Sequence, residues 1–139
     1  MQKVNFYSDA ADPLRFACRL VRKAVGFGMP VAVCVPDAQA AALDELLWTF
    51  EPAEFIAHRR WTVATPAAPG EVLLVRDAAA LPHRGLLVNL DEALPSAAFE
   101  FERVLEVVGR EPEQVRAGRA RYRAYQQSGV HLDHFIAAG

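Results

Sequence analysis

Short apolar runs recur along the chain with helical periodicity between them, and that alternation limits the possible folds more than any other feature. The runs lie at Val4–Tyr7, Val31–Val35, Val72–Val75, Leu86–Leu90 and Val104–Val108. Val31–Val35 is apolar throughout, the pattern of a strand covered on both faces. Between the first two runs, Leu14, Ala17, Cys18, Val21, Ala24 and Val25 repeat at three- and four-residue spacing, which places them on one buried helix face. Asp12 is positioned to cap that helix, Pro13 opens its first turn, and Gly26 and Gly28 stop it. Asp37 is the expected cap of a second helix running to about Phe50, with Leu43, Leu46, Leu47 and Phe50 as its core stripe. A short helix after Pro95 and a closing helix from about Glu111 to Gln127 complete the elements. The expected fold class is therefore α/β: a single three-layer domain over 1–139, with a mostly parallel central sheet and helices on both faces.

Length and composition agree with one core. A chain of 139 residues hides roughly 68–70% of its unfolded surface, and the linker-like stretch Thr62–Gly70 is too short to divide domains. No apolar run approaches the roughly 20 residues that cross a bilayer, and the first residues lack a signal peptide's apolar stretch, so a cytoplasmic protein with no membrane partner is expected. Cys18 and Cys34 lie on a predicted helix and a predicted strand without metal-ligand spacing, which makes them buried free thiols.

Such a sheet invites comparison with nucleotide-binding folds, but the phosphate loop is missing. After the first strand stands Ser8-Asp9-Ala10-Ala11-Asp12, with two acids and no glycine. Gly26-Phe27-Gly28 sits at the helix end of its unit, the wrong place for a dinucleotide fingerprint. The fold is Rossmann-like in class only. Catalytic and metal groups are equally lacking: His131 and His134 form an HxxH pair with Asp133 as the sole nearby acid, read as exposed tail polarity. Asp44-Glu45 and Asp91-Glu92 are adjacent pairs whose members diverge by about 100° on a helix, so they do not converge on a substrate. Neither an active site nor a cofactor is expected.

Two features remain. The first is the aromatic cluster within residues 43–61. Trp48 lies about 100° off the Leu43/Leu47 stripe and turns outward, Pro52 ends the helix, and Phe55 and Ile56 add apolar surface. Two readings stay open: a satellite core, or an exposed patch that meets a protein partner. The second is VRAGRARYRAY, residues 115–125, with four arginines and two tyrosines and no acid. Arg116, Arg119 and Arg123 fall at i, i+3 and i+7 of a helix, with Tyr122 on the adjoining strip, while Arg121 and Tyr125 turn away. Gly118 costs the helix roughly 1 kcal/mol against alanine. Again two readings stay open: a solvated face, or a socket in which guanidinium forks take carboxylates or phosphates beside an aromatic floor. A protein's carboxyl terminus offers a carboxylate and an apolar side chain together. Nucleic acid is not the expected primary partner, because 17 acids stand against 15 bases and most of the surface repels phosphate.

Leu43-Asp44-Glu45-Leu46-Leu47-Trp48, Phe55-Ile56-Ala57-His58 and Arg119–Tyr125 followed by Ser128-Gly129 resemble the chi subunit family of bacterial DNA polymerase III, as do Phe6-Tyr7 and Cys18. The resemblance spans nearly the whole chain, with 59–84 matching poorly. It implies a non-catalytic, cofactor-free adaptor of the clamp-loader complex, in the bacterial cytoplasm at the replisome. Two partners are implied: the psi subunit, and the acidic carboxyl-terminal tail of single-stranded-DNA-binding protein, which ends in phenylalanine. By position, Arg119, Tyr122 and Arg123 match tail-binding residues, with Arg116 and Val115 beside them. Val115 stands where the resemblance implies a lysine. Phe55 and Trp48, with Phe50 and Ile56, match the psi-facing region, where a repair helicase is a further partner by family analogy. The readings set against this one are a small α/β nucleotide-binding enzyme and a direct binder of single-stranded DNA.

Overall fold

The computed structural model describes residues 2–49, 56–61 and 70–137. Its strands are β1 (Lys3–Ala10), β2 (Val31–Cys34), β3 (His58–Arg60), β4 (Val72–Val75), β5 (Leu86–Asn89), β6 (Arg103–Gly109) and β7 (His131–Ile136). They form one sheet in the order β3-β4-β2-β5-β6-β1-β7, and every pairing is parallel. The helices are α1 (Pro13–Gly26), α2 (Asp37–Thr49) and α3 (Pro112–Ser128), with short 3₁₀ turns at Ala78–Ala80 and Ala98–Glu100.

The layering follows from the direction in which the chain crosses the sheet. From β1 to β2 to β3 it steps one way, and from β3 onward it steps back toward β7. Right-handed crossovers in opposite directions deposit their connections on opposite faces. Accordingly Ala17, Cys18 and Val21 of α1 and Leu43 and Leu47 of α2 pack with Val33, Leu74 and Val88 on one side. Phe101 and Tyr125 pack with Val4, Phe6 and Val104 on the other. Along β2, Val31 and Val33 feed the first core and Ala32 and Cys34 the second. That is why this strand is apolar without alternation.

Local signals act at the expected positions. Asp12 Oδ1 accepts from Arg15 N at 3.2 Å, Pro13 opens α1, and Gly28 turns the chain away at φ 78°. Glu111 and Gln114 form a capping box at the start of α3, and Gly129 ends it in the left-handed conformation. The sheet differs from expectation at its edges. β3 is a short charged strand, His58-Arg59-Arg60, with no apolar run to announce it. The supposed polar tail at His131–His134 is strand β7, in register with β1 from Lys3↔His131 to Ser8↔Ile136. An edge strand keeps one rim in water, so histidines and an aspartate sit there without cost and guard against unwanted strand pairing. The helix expected after Pro95 is only the 3₁₀ turn at Ala98–Glu100.

Gly118 has a packing reason. A Cβ there would lie 2.8 and 2.9 Å from the two methyls of Val108, so glycine lets α3 approach β6 closely. Gly118→Ala is expected to lose more through overpacking, about 1–3 kcal/mol, than the roughly 1 kcal/mol it gains in helix propensity. A urea titration reads the difference, and a stabilised variant would contradict this packing. Burial raises the thiol pKa of Cys18 to about 11 and of Cys34 to about 12. At pH 8 both should resist disulfide-exchange reagents in the native protein and react promptly once it is denatured.

Candidate functional site

One strip of α3 anchors the helix and the strip beside it forms a wall. Arg121 and Tyr125 turn into the sheet, as their helix position predicts, and converge on Glu106 of β6. Glu106 and Asn89 are 0% exposed and Arg121 is 4% exposed. Arg121 Nε donates to Glu106 Oε1 at 2.9 Å, and the Tyr125 hydroxyl donates to Oε2 at 3.0 Å. Asn89 Nδ2 donates to both oxygens, at 3.0 and 3.1 Å, and an Arg121 terminal nitrogen donates to the Glu92 carbonyl at 2.7 Å. Burial pushes the Glu106 carboxyl up, while the Arg121 guanidinium and the neutral donors pull it back. Burial also raises the Tyr125 phenol, with the Glu106 charge adding to the effect. Sequence reasoning missed Glu106, although an acid inside the apolar run Val104–Val108 was the available signal.

The adjoining strip of α3 faces a cleft of about 580 Å³ beside the β7 edge of the sheet. Val115, Gly118, Arg119 and Tyr122 line it from the helix, and Phe6, Val108 and Gly109 from the strands. Arg110 at the end of β6, Ser8 and Asp9 of β1 and His134 of β7 complete its rim. The Tyr122 ring stands edge-on to Phe6, 5.1 Å between centroids, so the aromatic floor is fixed by core packing. Arg110 Nε donates to Asp9 Oδ1 at 2.8 Å. Asp9 itself is held at φ 61°, a left-handed conformation uncommon outside glycine. Arg119 is exposed and, among the described residues, meets no acid. Of the arginines expected to share a face, only Arg119 reaches the cleft. Arg116 and Arg123 are exposed but lie outside its lining, further around the helix. Val115 contributes apolar wall, and Arg110, unforeseen in the sequence, brings a second guanidinium from across the cleft.

A second crevice, of about 560 Å³, opens at the carboxyl ends of β1, β2, β5 and β6. There α/β folds commonly hold nucleotides. Here Asp12, Asp91 and Glu92 line it, and the Arg121 that reaches it is already committed to Glu106 and Glu92. Carboxylates without a glycine-rich loop repel phosphate. Asp91 is further engaged by Arg76. Among the described residues no cluster of His, Cys, Asp or Glu is arranged to hold a metal, and no helix is long and apolar enough to cross a membrane.

The aromatic cluster is only partly a surface. Trp48 is 48% exposed at the end of α2, packed on His58 with ring centroids 4.3 Å apart. His58 is buried, its Nδ1 2.8 Å from the Ile56 carbonyl oxygen and its Nε2 3.1 Å from Asp44 Oδ1. Ile56, expected to add exposed apolar area, is 8% exposed and belongs to the core beneath α1 and α2. Its position just before an edge strand turns it inward. Phe50 and Phe55 lie outside the described residues. Trp48 and His58 stand at the β3 edge and the cleft spans β6, β1 and β7, so four to six strand spacings, roughly 19–29 Å, separate them across the sheet.

A family model described as "DNA polymerase III chi subunit, HolC" matches residues 1–133. The chain belongs to the DNA polymerase III chi subunit family. It is 39% identical over 140 residues to the DNA polymerase III subunit chi of Pseudomonas aeruginosa, covering 96% of each chain. It is 28% identical over 117 residues to the subunit chi of Haemophilus influenzae, covering 84% of this chain and 81% of that one. The family match takes in the whole of α3 and every residue lining the cleft except His134. In this chi-family chain, Glu106→Ala is expected to cost about 3–5 kcal/mol by stranding a buried guanidinium, measurable by denaturant titration. A loss below about 1 kcal/mol would mean that Arg121 finds water or another partner and that the network does not anchor α3.

Proposed function

We propose that this chi-family chain is a non-catalytic adaptor of the DNA polymerase III holoenzyme that joins two polypeptides. In this reading the α3 cleft takes the acidic, phenylalanine-ended tail of single-stranded-DNA-binding protein, and the Trp48 edge takes the psi subunit and, through it, the clamp loader. A repair helicase is a further candidate for that same edge. Chemistry resides in other subunits.

The observation that carries the reading is the convergence of Arg119 with Tyr122, Val115 and Phe6 on one cleft, with the Arg119 guanidinium unneutralised among the described residues. A guanidinium offers paired donors to a carboxylate, and an apolar floor beside it suits an aromatic side chain. The rim arginines Arg116 and Arg123 lie outside the cleft but extend positive potential around it, which favours capture of an acidic tail more than tight contact. Val115, where the family resemblance implies lysine, makes the wall more apolar, and Arg110 offers charge from the other side. The acidic crevice at the strand ends argues against the nucleotide reading, and the balance of 17 acids to 15 bases argues against a general DNA binder.

Titration with a labelled acidic peptide ending in phenylalanine tests the assignment. Arg119→Ala should weaken binding by about 1–3 kcal/mol. Amidating the peptide's terminus should weaken it as well, and Trp48→Ala should leave it unchanged. Equal affinity in wild type and Arg119→Ala would place the tail site elsewhere.

A further inference from the structure

The histidine pair near the carboxyl end serves two different environments. Alternation along β7 places His131 and Asp133 on one face of the sheet, where His131 Nε2 lies 3.1 Å from Asp133 Oδ2. His134 points to the other face, onto the cleft. There its Nε2 lies 2.6 Å from Ser8 Oγ, and its ring stands edge-on to Tyr122 at 6.3 Å. A serine hydroxyl donates to a neutral imidazole and accepts from a protonated one, so this partner accommodates either state. The charged groups around His134 are Asp9 on β1, Arg110 at the end of β6, Arg119 on α3, and Asp133 and His131 on its own strand. Asp9 is held by Arg110 and Asp133 faces His131. Among the described residues no carboxylate contacts His134. A bound carboxylate would favour a positive charge there.

We propose that His134 is a ligand-contacting residue of the cleft, protonated when an acidic carboxyl-terminal peptide binds, so that binding takes up a proton and tightens as pH falls. The inference rests on the tail-site reading above and adds to it a residue that lies one position beyond the stretch matched by the family model. Imidazole is the side chain suited to this role, because its charge changes between about pH 5 and 8. Arg119 stays charged throughout that range and supplies the constant part of the affinity. The sign follows directly: the protonated form contributes fully at low pH, and its contribution is lost as pH rises and the ring gives up its proton. In a partly exposed cleft one added ion pair is worth up to about a fivefold change in Kd.

The test is a titration of the full chain with a labelled acidic peptide ending in phenylalanine, at fixed ionic strength between pH 5.5 and 8.0, where the peptide's carboxylates stay ionised. Wild type and His131→Gln should bind about twofold to fivefold more tightly at the acid end, while His134→Gln should show a flat profile at the weaker level. Parallel slopes in wild type and His134→Gln would overturn the proposal while leaving the tail site intact. Absence of binding in wild type at every pH would overturn the tail-site reading, and this proposal with it. Proton NMR of the wild-type His134 ring gives a readout independent of any variant. Its titration midpoint should rise when the cleft is saturated with peptide, and an unmoved midpoint would also overturn the proposal.

Discussion

Everything proposed for α3 depends on how its inner side is held, and that hold is a buried carboxylate. Glu106 on β6 draws Arg121 and Tyr125 down from the helix and Asn89 across from β5, and no acceptor oxygen of that carboxylate is left without a donor. An isolated buried charge would be very costly, so the network is stable only as a complete set. Its value lies as much in geometry as in energy. With Arg121 and Tyr125 locked, the rotation of α3 about its axis is set, and Val115, Arg119 and Tyr122 necessarily face the cleft. Gly118 supplies the other half of that constraint by letting the helix approach Val108.

The same helix therefore uses its arginines in opposite ways. Arg121 neutralises an internal acid and is removed from solvent, whereas Arg119, two residues earlier, keeps its guanidinium exposed beside an apolar floor. A uniformly basic surface would attract phosphate indiscriminately. In the proposed reading, a cleft with one unneutralised guanidinium, a second one tied to Asp9, and Phe6 and Tyr122 beneath favours a short ligand that is charged at one point and apolar at another. The Trp48 edge lies at the other end of the sheet, so the two proposed partners would not compete for space.

Elements defined by local chemistry are legible in the order of the residues alone. α1 has its cap, its proline and its terminal glycines, and β2, β4 and the Leu86–Val88 part of β5 are apolar because both faces are covered. The inward turn of Arg121 and Tyr125 and the outward turn of Trp48 follow from 3.6-residue periodicity. β3 and β7 are not legible in this way, since edge strands with charged side chains carry no apolar run. Ile56 lies in the core rather than at the surface, because proximity to an aromatic cluster says nothing about which way a residue before a strand will turn.

What the sequence determined by itself was the α/β class, the family, and the inward turn of Arg121 and Tyr125 on α3, because these depend on neighbours within a helical turn or on motifs read in order. The tertiary structure alone decided what stands opposite that helix. Parallel pairing of β1 with β7 brings Ser8 to His134 across 126 positions of chain, and the end of β6 delivers Arg110 to the same rim. No periodicity encodes such a meeting. It depends on strand order and register, which are settled only when the whole sheet closes around its two cores and the Glu106 network fixes the helix above it.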